Sequence, residues 1–83
     1  MYVKGPAEIA GRSAGAYRAQ SVAGAVRYTW TVTSQRLVEL SATERDARLE
    51  FRDGPGRLTL RVSAVSADGT VLATGMREVI VGA

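Results

Sequence analysis

The stretch that decides the fold is Arg27-Tyr28-Thr29-Trp30-Thr31-Val32-Thr33, which contains the single tryptophan of the 83-residue chain. Apolar and polar residues alternate through it, as in a half-buried β-strand. One face would carry Val26, Tyr28, Trp30 and Val32. The other face would carry Arg27, Thr29 and Thr31. We therefore expect Trp30 to pack in a core between two layers rather than to form an exposed platform for a ligand.

The same alternation marks "ARLEF" at 47–51 and "RLTLRVSAV" at 57–65. Turn sequences separate these segments, notably "DGPG" at 53–56 and the pair Asp68-Gly69. Proline fixes φ and glycine tolerates positive φ, so both stretches favour turns. The segment 33–47 lacks a sustained helical period, and we interpret 37–40 as a short strand followed by a polar loop. Gly75, within the last apolar run, predicts a bulge or kink.

These segments predict about seven short antiparallel strands: 2–4 with 8–9, 15–20, 26–33, 37–40, 47–52, 57–66 and 71–81. Seven alternating strands with regular turns indicate an all-β, immunoglobulin-like β-sandwich of two sheets, formed by one domain over residues 1–83. The third, sixth and seventh strands would share a sheet. An OB-type barrel is the main alternative, but its helix between strands three and four has little support here. The predicted core comprises Tyr17, Tyr28, Trp30, Phe51, Leu60 and Val62.

The composition argues against catalysis. The chain has no cysteine and no histidine, so it can form no disulfide and lacks the commonest general base and metal ligand. The serines have no evident base, since the single lysine, Lys4, lies near the terminus. Glu44, Asp46 and Glu50 form no recognisable acid–base pair. We expect no enzymatic activity and no cofactor.

Two acidic turn residues, Asp53 and Asp68, carry oxygens of the kind that Ca²⁺ binds. No D-x-D-x-D spacing accompanies them, and aspartate commonly caps its own backbone in such turns. We therefore interpret both as turn residues and predict no metal site, while the sequence leaves calcium binding open.

The net charge is +3, and ten of the eleven basic residues are arginines. These arginines are interleaved with acidic residues, so we predict no nucleic-acid partner. Arg27, Arg57 and Arg61 would lie on the outer face of the sheet formed by strands three, six and seven, among Thr29, Thr31, Thr59 and Ser63. That face is a candidate surface for an acidic polysaccharide or an acidic neighbouring domain. A solvated sheet face, with arginine stems covering apolar surface, is the competing interpretation.

Three segments together resemble the PKD (polycystic kidney disease) family in its bacterial PKD-like branch: "GPAEIAGRSAGAYRA", "VAGAVRYTWTVT" and "ARLEFRDGPGRLTLRVSAVSADG". In the second segment Gly24, Ala25, Tyr28, Trp30 and Val32 match the branch's "gA-x-x-Y-x-W-x-V" pattern. The acidic Gly-Asp-Gly turn of the better-known branch is replaced here by "TVTSQ" after Trp30. The tyrosine that often follows the Pro-Gly turn is also missing.

The resemblance implies a non-catalytic module of a larger bacterial protein that is secreted or displayed at the cell surface. Such a module acts as a spacer or a protein-interaction domain. The alternative is a carbohydrate-binding accessory domain of a secreted hydrolase or adhesin, which exposure of Trp30 or Tyr2 would favour. A third hypothesis is pairing of the last strand, "EVIVGA" at 78–83, with another chain. No apolar run is long enough to span a bilayer and no signal peptide is visible. The absence of such a run predicts no membrane insertion. The apolar last strand predicts a monomer or a weak strand-edge assembly.

Overall fold

The computed structural model describes residues 1–82, which form eight β-strands in two four-stranded sheets. The strands are β1 (Val3–Lys4), β2 (Glu8–Ile9), β3 (Ala14–Ala19), β4 (Arg27–Val32), β5 (Val38–Thr43), β6 (Asp46–Phe51), β7 (Gly56–Val65) and β8 (Val71–Val81). Sheet A has the order β1-β3-β6-β5, and sheet B has the order β2-β8-β7-β4. No helix long and apolar enough to cross a bilayer occurs in residues 1–82.

This arrangement confirms the predicted immunoglobulin-like sandwich. The four strands of sheet A correspond to the A, B, E and D strands of that fold, and β4, β7 and β8 to its C, F and G strands. The expectation that the third, sixth and seventh predicted strands share a sheet is therefore confirmed. The described residues contain no helix between the third and fourth predicted strands, so the barrel alternative is wrong.

The first predicted strand is in fact two strands in different sheets, which raises the count from about seven to eight. β1 pairs antiparallel with β3, whereas β2 pairs parallel with β8, so the pairing is not wholly antiparallel. Gly5 and Pro6 lie in the crossing between the sheets. The hydroxyl of Tyr17 donates a hydrogen bond of 2.7 Å to the carbonyl oxygen of Pro6, which fixes this crossing to β3.

The core lies between the two sheets and is built from the inward-facing residues that alternate with exposed residues along the strands. Of the predicted core residues, Tyr17, Trp30, Leu60 and Val62 are buried. Tyr28 and Phe51 are half-buried and pack against the same cluster. Val26, expected on the inward face beside Tyr28, is instead 63% exposed, because it lies at the end of the β4–β7 pairing, one residue before β4 begins; its backbone N–H donates to the carbonyl of Val65 at 2.9 Å.

Two further expectations need correction. The polar loop after residue 40 is a continuation of β5 to Thr43, because Thr43 pairs with Asp46 across a tight turn at Glu44 and Arg45. That pairing supplies backbone hydrogen bonds which the local apolar pattern does not indicate.

Gly75 forms no bulge, since the irregularity of the β7–β8 ladder lies between Ala64 and Val65. A Cβ atom on Gly75 would stand 2.7 Å from the carbonyl oxygen of Met1. This glycine therefore permits the close approach of the N-terminal segment to β8.

Candidate binding surfaces

Trp30 is a wedge between the sheets. It is 8% exposed, and its indole Nε1 donates a hydrogen bond of 2.7 Å to the carbonyl oxygen of Glu44. Trp30 belongs to sheet B, whereas Glu44 lies in the β5–β6 turn of sheet A. The bond therefore ties the sheets together and fixes a turn residue whose φ is +49°. A cleft of about 330 Å³ between the outer strands β4 and β5 reaches the Trp30 ring, but the ring is almost wholly buried and only its edge is accessible.

The three arginines of the predicted basic surface do lie on the outer face of sheet B, but they are spread along it. Arg27 is opposite Val65 and Arg57 is opposite Ile80, at the two ends of β7. Eight residues of extended strand separate these positions, which is about 26 Å. Arg61 lies between them. The three guanidinium groups therefore do not converge on one ligand group.

Two of these arginines are already engaged by β8. The Nε of Arg57 is 3.3 Å from Oε1 of Glu78, and Nη2 of Arg61 donates to the sulfur of Met76 at 3.4 Å. Met76 and Ile80 are 62% and 45% exposed on the same face. The face is therefore mixed in character rather than uniformly polar and basic. The apolar contribution comes from Met76 and Ile80 of β8, a strand that the sequence pattern places in this sheet without indicating that these two side chains lie on its outer face.

The two acidic turn residues lie at opposite ends of β7 and share no site. Asp68 accepts hydrogen bonds from the Ser66 hydroxyl and from the backbone N–H of Thr70, which lower its pKa to about 2. Asp53 accepts from the backbone N–H of Gly54 at 2.9 Å. Both aspartates therefore accept hydrogen bonds from backbone N–H groups within their own turns. Over residues 1–82, no group of three or more Asp, Glu, His or Cys side chains is arranged to hold a metal ion.

The other acidic residues singled out from the sequence are also dispersed. Asp46 is 3.6 Å from Nε of Arg18, in an exposed ion pair. Glu50 lies four residues further along β6, about 13 Å away, beside Glu39 of β5. Glu44 occupies the hairpin turn. No two of these carboxylates flank a common point.

The last strand is not a free edge where the sequence predicts one. The backbone N–H of Ile80 donates to the carbonyl of Ala7 at 2.9 Å, and that of Gly82 donates to Ile9 at 2.8 Å. β2 therefore covers β8 from Ile80 to Gly82, so this part of the strand is not a free edge, and its pairing with another chain stays a prediction; Ala83 lies outside the described residues. The outer strands of the sandwich on its other side are β4 and β5.

Tyr17 is a buried structural residue. Burial raises the pKa of its phenol, an effect that the nearby positive charge of Arg77 partly offsets. A Cβ on Gly5 would overlap a carbon of the Tyr17 ring, so the ring fills the space that this glycine leaves. Tyr17 thus holds the crossing between β1 and β2 and offers no accessible surface.

A groove on the outer face of sheet A combines an exposed aromatic ring with several cations. We call it the β1 groove; it has a volume of about 450 Å³ and is lined by Tyr2, Lys4, Arg18, Ala19, Gln20 and Arg45. Tyr2 is 62% exposed. The alternation of Tyr2, Val3 and Lys4 indicates which residues face outward. Their proximity to Arg18 and Arg45 depends on strand pairing, which the sequence alone does not reveal.

Comparisons with known proteins add no relative to these observations. No protein-family model matches the chain, and neither the curated proteins nor the solved structures include a significant match. The resemblance to PKD domains therefore stays a prediction that rests on the residues quoted above. The identification that the structure supports is that of an immunoglobulin-like β-sandwich.

Proposed function

We propose that this domain is a non-catalytic spacer that also serves as a protein-interaction module, within a larger bacterial protein that is secreted or displayed at the cell surface. The observation that carries the spacer function is the position of the two chain ends. The amino group of Met1 donates to the carbonyl of Thr74 at 3.2 Å, whereas Gly82 is held by Ile9 at the far end of β8. Eight residues of extended strand separate Thr74 from Gly82, which is about 26 Å.

The shape of the molecule agrees with this function. Its principal extents are 41 × 19 × 17 Å, so it is more than twice as long as it is wide. A folded sandwich whose two ends lie about 26 Å apart holds its neighbours at a fixed distance. A flexible linker of the same length would give a root-mean-square separation of about 50 Å, with a broad distribution. Rigidity, rather than reach, is therefore what the fold would contribute.

A specific observation favours carbohydrate binding as a second function. The sugar-binding hypothesis requires an accessible aromatic ring, and Tyr2 meets this requirement although Trp30 does not. The two functions are compatible, because the residues that line the β1 groove lie on the outer face of sheet A and include neither Met1 nor Gly82.

The spacer function can be tested by placing the domain directly between two rigid reporter domains and measuring the distance between spin labels on them. The chain has no cysteine, so labels attached to introduced cysteines report only the chosen sites. We expect a narrow distance distribution. The matched control is the Trp30→Ala variant, which has the same length but a disrupted core and should give a broad distribution. A distribution for the native domain as broad as that of a Gly/Ser linker would refute the spacer function.

A further inference from the structure

The β1 groove has the composition of a ligand site, and we propose that it binds an acidic polysaccharide built from uronic acids, with the sugar ring stacked on Tyr2 and its carboxylate held by Lys4, Arg18 and Arg45. This inference rests on the second candidate function, carbohydrate binding, and names its ligand class and its residues. The spacer function does not depend on it.

The ring of Tyr2 is exposed, but its backbone is fixed. The N–H of Tyr2 donates to Oε1 of Gln20 at 3.2 Å, and the N–H of Gln20 donates to the carbonyl of Tyr2 at 2.8 Å. The second bond joins the two backbones and continues the β1–β3 pairing one residue beyond Val3, and the first adds a contact with the Gln20 side chain. The backbone of Tyr2 is therefore held in place, so ligand binding would have to order only its side chain.

The positive charges beside this ring are only partly neutralised by acidic side chains. Lys4 lies directly opposite Arg18, so two like charges are about 5 Å apart at their Cβ atoms, an arrangement that destabilises a sheet. Within residues 1–82, the one ion pair in the groove joins Arg18 to Asp46, and both side chains are more than 60% exposed. Such exposed pairs are weak. An anionic ligand would relieve the repulsion between Lys4 and Arg18.

Arg45 is the third cation of the β1 groove, and its side chain is held in place. Its Nε donates to the carbonyl of Ala19 at 3.1 Å, which anchors the side chain across the end of β3. The terminal nitrogens of the guanidinium remain available, and their planar fork matches the two oxygens of a carboxylate. Tyr2 and Lys4 are two residues apart on one face of the strand, about 7 Å, so ring and cations can contact neighbouring parts of one sugar chain.

The groove favours a sugar chain over other polyanions. Single-stranded nucleic acids stack successive bases on several aromatic rings. Of the five aromatic side chains here, Tyr2 alone is exposed. An acidic peptide would use the cations but would leave the ring without a partner. The C–H faces of a sugar carry partial positive charge and suit the negative face of a phenol ring.

The experiment is a titration of the isotope-labelled domain with a short oligogalacturonate, followed by amide NMR shifts at low ionic strength. We expect shifts to concentrate at Tyr2, Lys4, Arg18 and Arg45. The Tyr2→Ala and Lys4→Gln variants should each weaken binding about fivefold or more, or roughly 1 kcal/mol. The matched control is Arg61→Gln, which removes the same charge from the outer face of sheet B and should change affinity less than twofold. Tyr2 and Lys4 are exposed, so the variants should keep the dispersed spectrum of the folded domain.

Several results would overturn the proposal. These are the absence of binding, binding that Tyr2→Ala leaves intact, or an equal loss in Arg61→Gln, which would indicate diffuse attraction by net charge. Equal binding of the methyl-esterified oligosaccharide would exclude carboxylate recognition. Equal or tighter binding of polyglutamate or oligothymidylate at the same residues would assign the groove to an acidic protein or a nucleic acid. The spacer function is judged separately, because a narrow label distribution without glycan binding would leave it intact.

Discussion

Replacing Trp30 by alanine tests the central packing claim, because this side chain is the largest in the core. An aromatic side chain buries about 150–250 Å², which corresponds to roughly 4–6 kcal/mol at about 25 cal/mol per Å². Measured losses for Trp→Ala in cores are about 3–5 kcal/mol, and the lost hydrogen bond to Glu44 belongs to the same change. A domain of 83 residues has a free energy of unfolding of about 4–12 kcal/mol. Trp30→Ala should therefore remove a large part of the stability or all of it.

The assay is urea denaturation followed by far-ultraviolet circular dichroism, since the variant loses the only indole. Trp30→Phe provides a second point: it keeps a ring but loses the bond to Glu44 and part of the buried area, so we expect a loss of about 1–3 kcal/mol. Tyr2→Ala, which truncates an exposed ring, should change the free energy of unfolding by less than about 0.5 kcal/mol. In the native domain, Trp30 should show blue-shifted emission and weak quenching by acrylamide. A Trp30→Ala loss below about 1 kcal/mol, or strong quenching in a folded sample, would show that the ring is not a core wedge.

Three smaller changes test local features. Glu44→Gly should raise stability by about 0.5–1 kcal/mol in urea denaturation, because relief of positive φ outweighs the entropy cost of glycine; a lower midpoint would contradict this. Asp68 has a folded-state pKa of about 2 against an ordinary 3.8, so its stabilising effect is present above pH 3.8 and is lost as pH falls towards 2. Thermal melts of Asp68→Asn should lack that component, and unchanged pH dependence would argue against the bonds to Ser66 and Thr70. Burial favours the neutral phenol of Tyr17 and raises its pKa. The free energy of unfolding should therefore be unaffected by this group below pH 10.0 and should fall at higher pH, where the phenol ionises. Tyr17→Phe should flatten that alkaline decline, whereas an unaltered decline would assign it to other groups.

The sheets were predictable where alternation is long and regular. β4 and β7 follow the predicted faces closely, because Trp30 and Leu60 each sit in an uninterrupted period of two. The split of the first strand was not predictable, since β1 and β2 have only two residues each and no period can be read from them. The continuation of β5 to Thr43 depends on its pairing with β6, which is a tertiary effect.

For the candidate surfaces too, the sequence predicts the sheet face on which a residue lies but not the residues that lie beside it. Alternation correctly assigns Arg27, Arg57 and Arg61 to one face, but it does not reveal that they span the length of sheet B. The neighbours of Tyr2 were beyond the reach of the sequence for a related reason. Lys4 and Arg18 are adjacent only through the β1–β3 register, and Arg45 joins them only through the turn after β5.

The crossing of the first strand from sheet A to sheet B has a mechanical consequence. β1 and β2 both run in the direction of β8, since Met1 lies beside Thr74 and Ile9 beside Val81. Tension applied to the two ends of the chain therefore pulls β1 and β2 lengthwise along β3 and β8. The bonds from Ile80 to Ala7 and from Gly82 to Ile9 would then carry the load together rather than open one after another. A domain built this way resists stretching with both sheets at once, which suits a module that holds its neighbours apart.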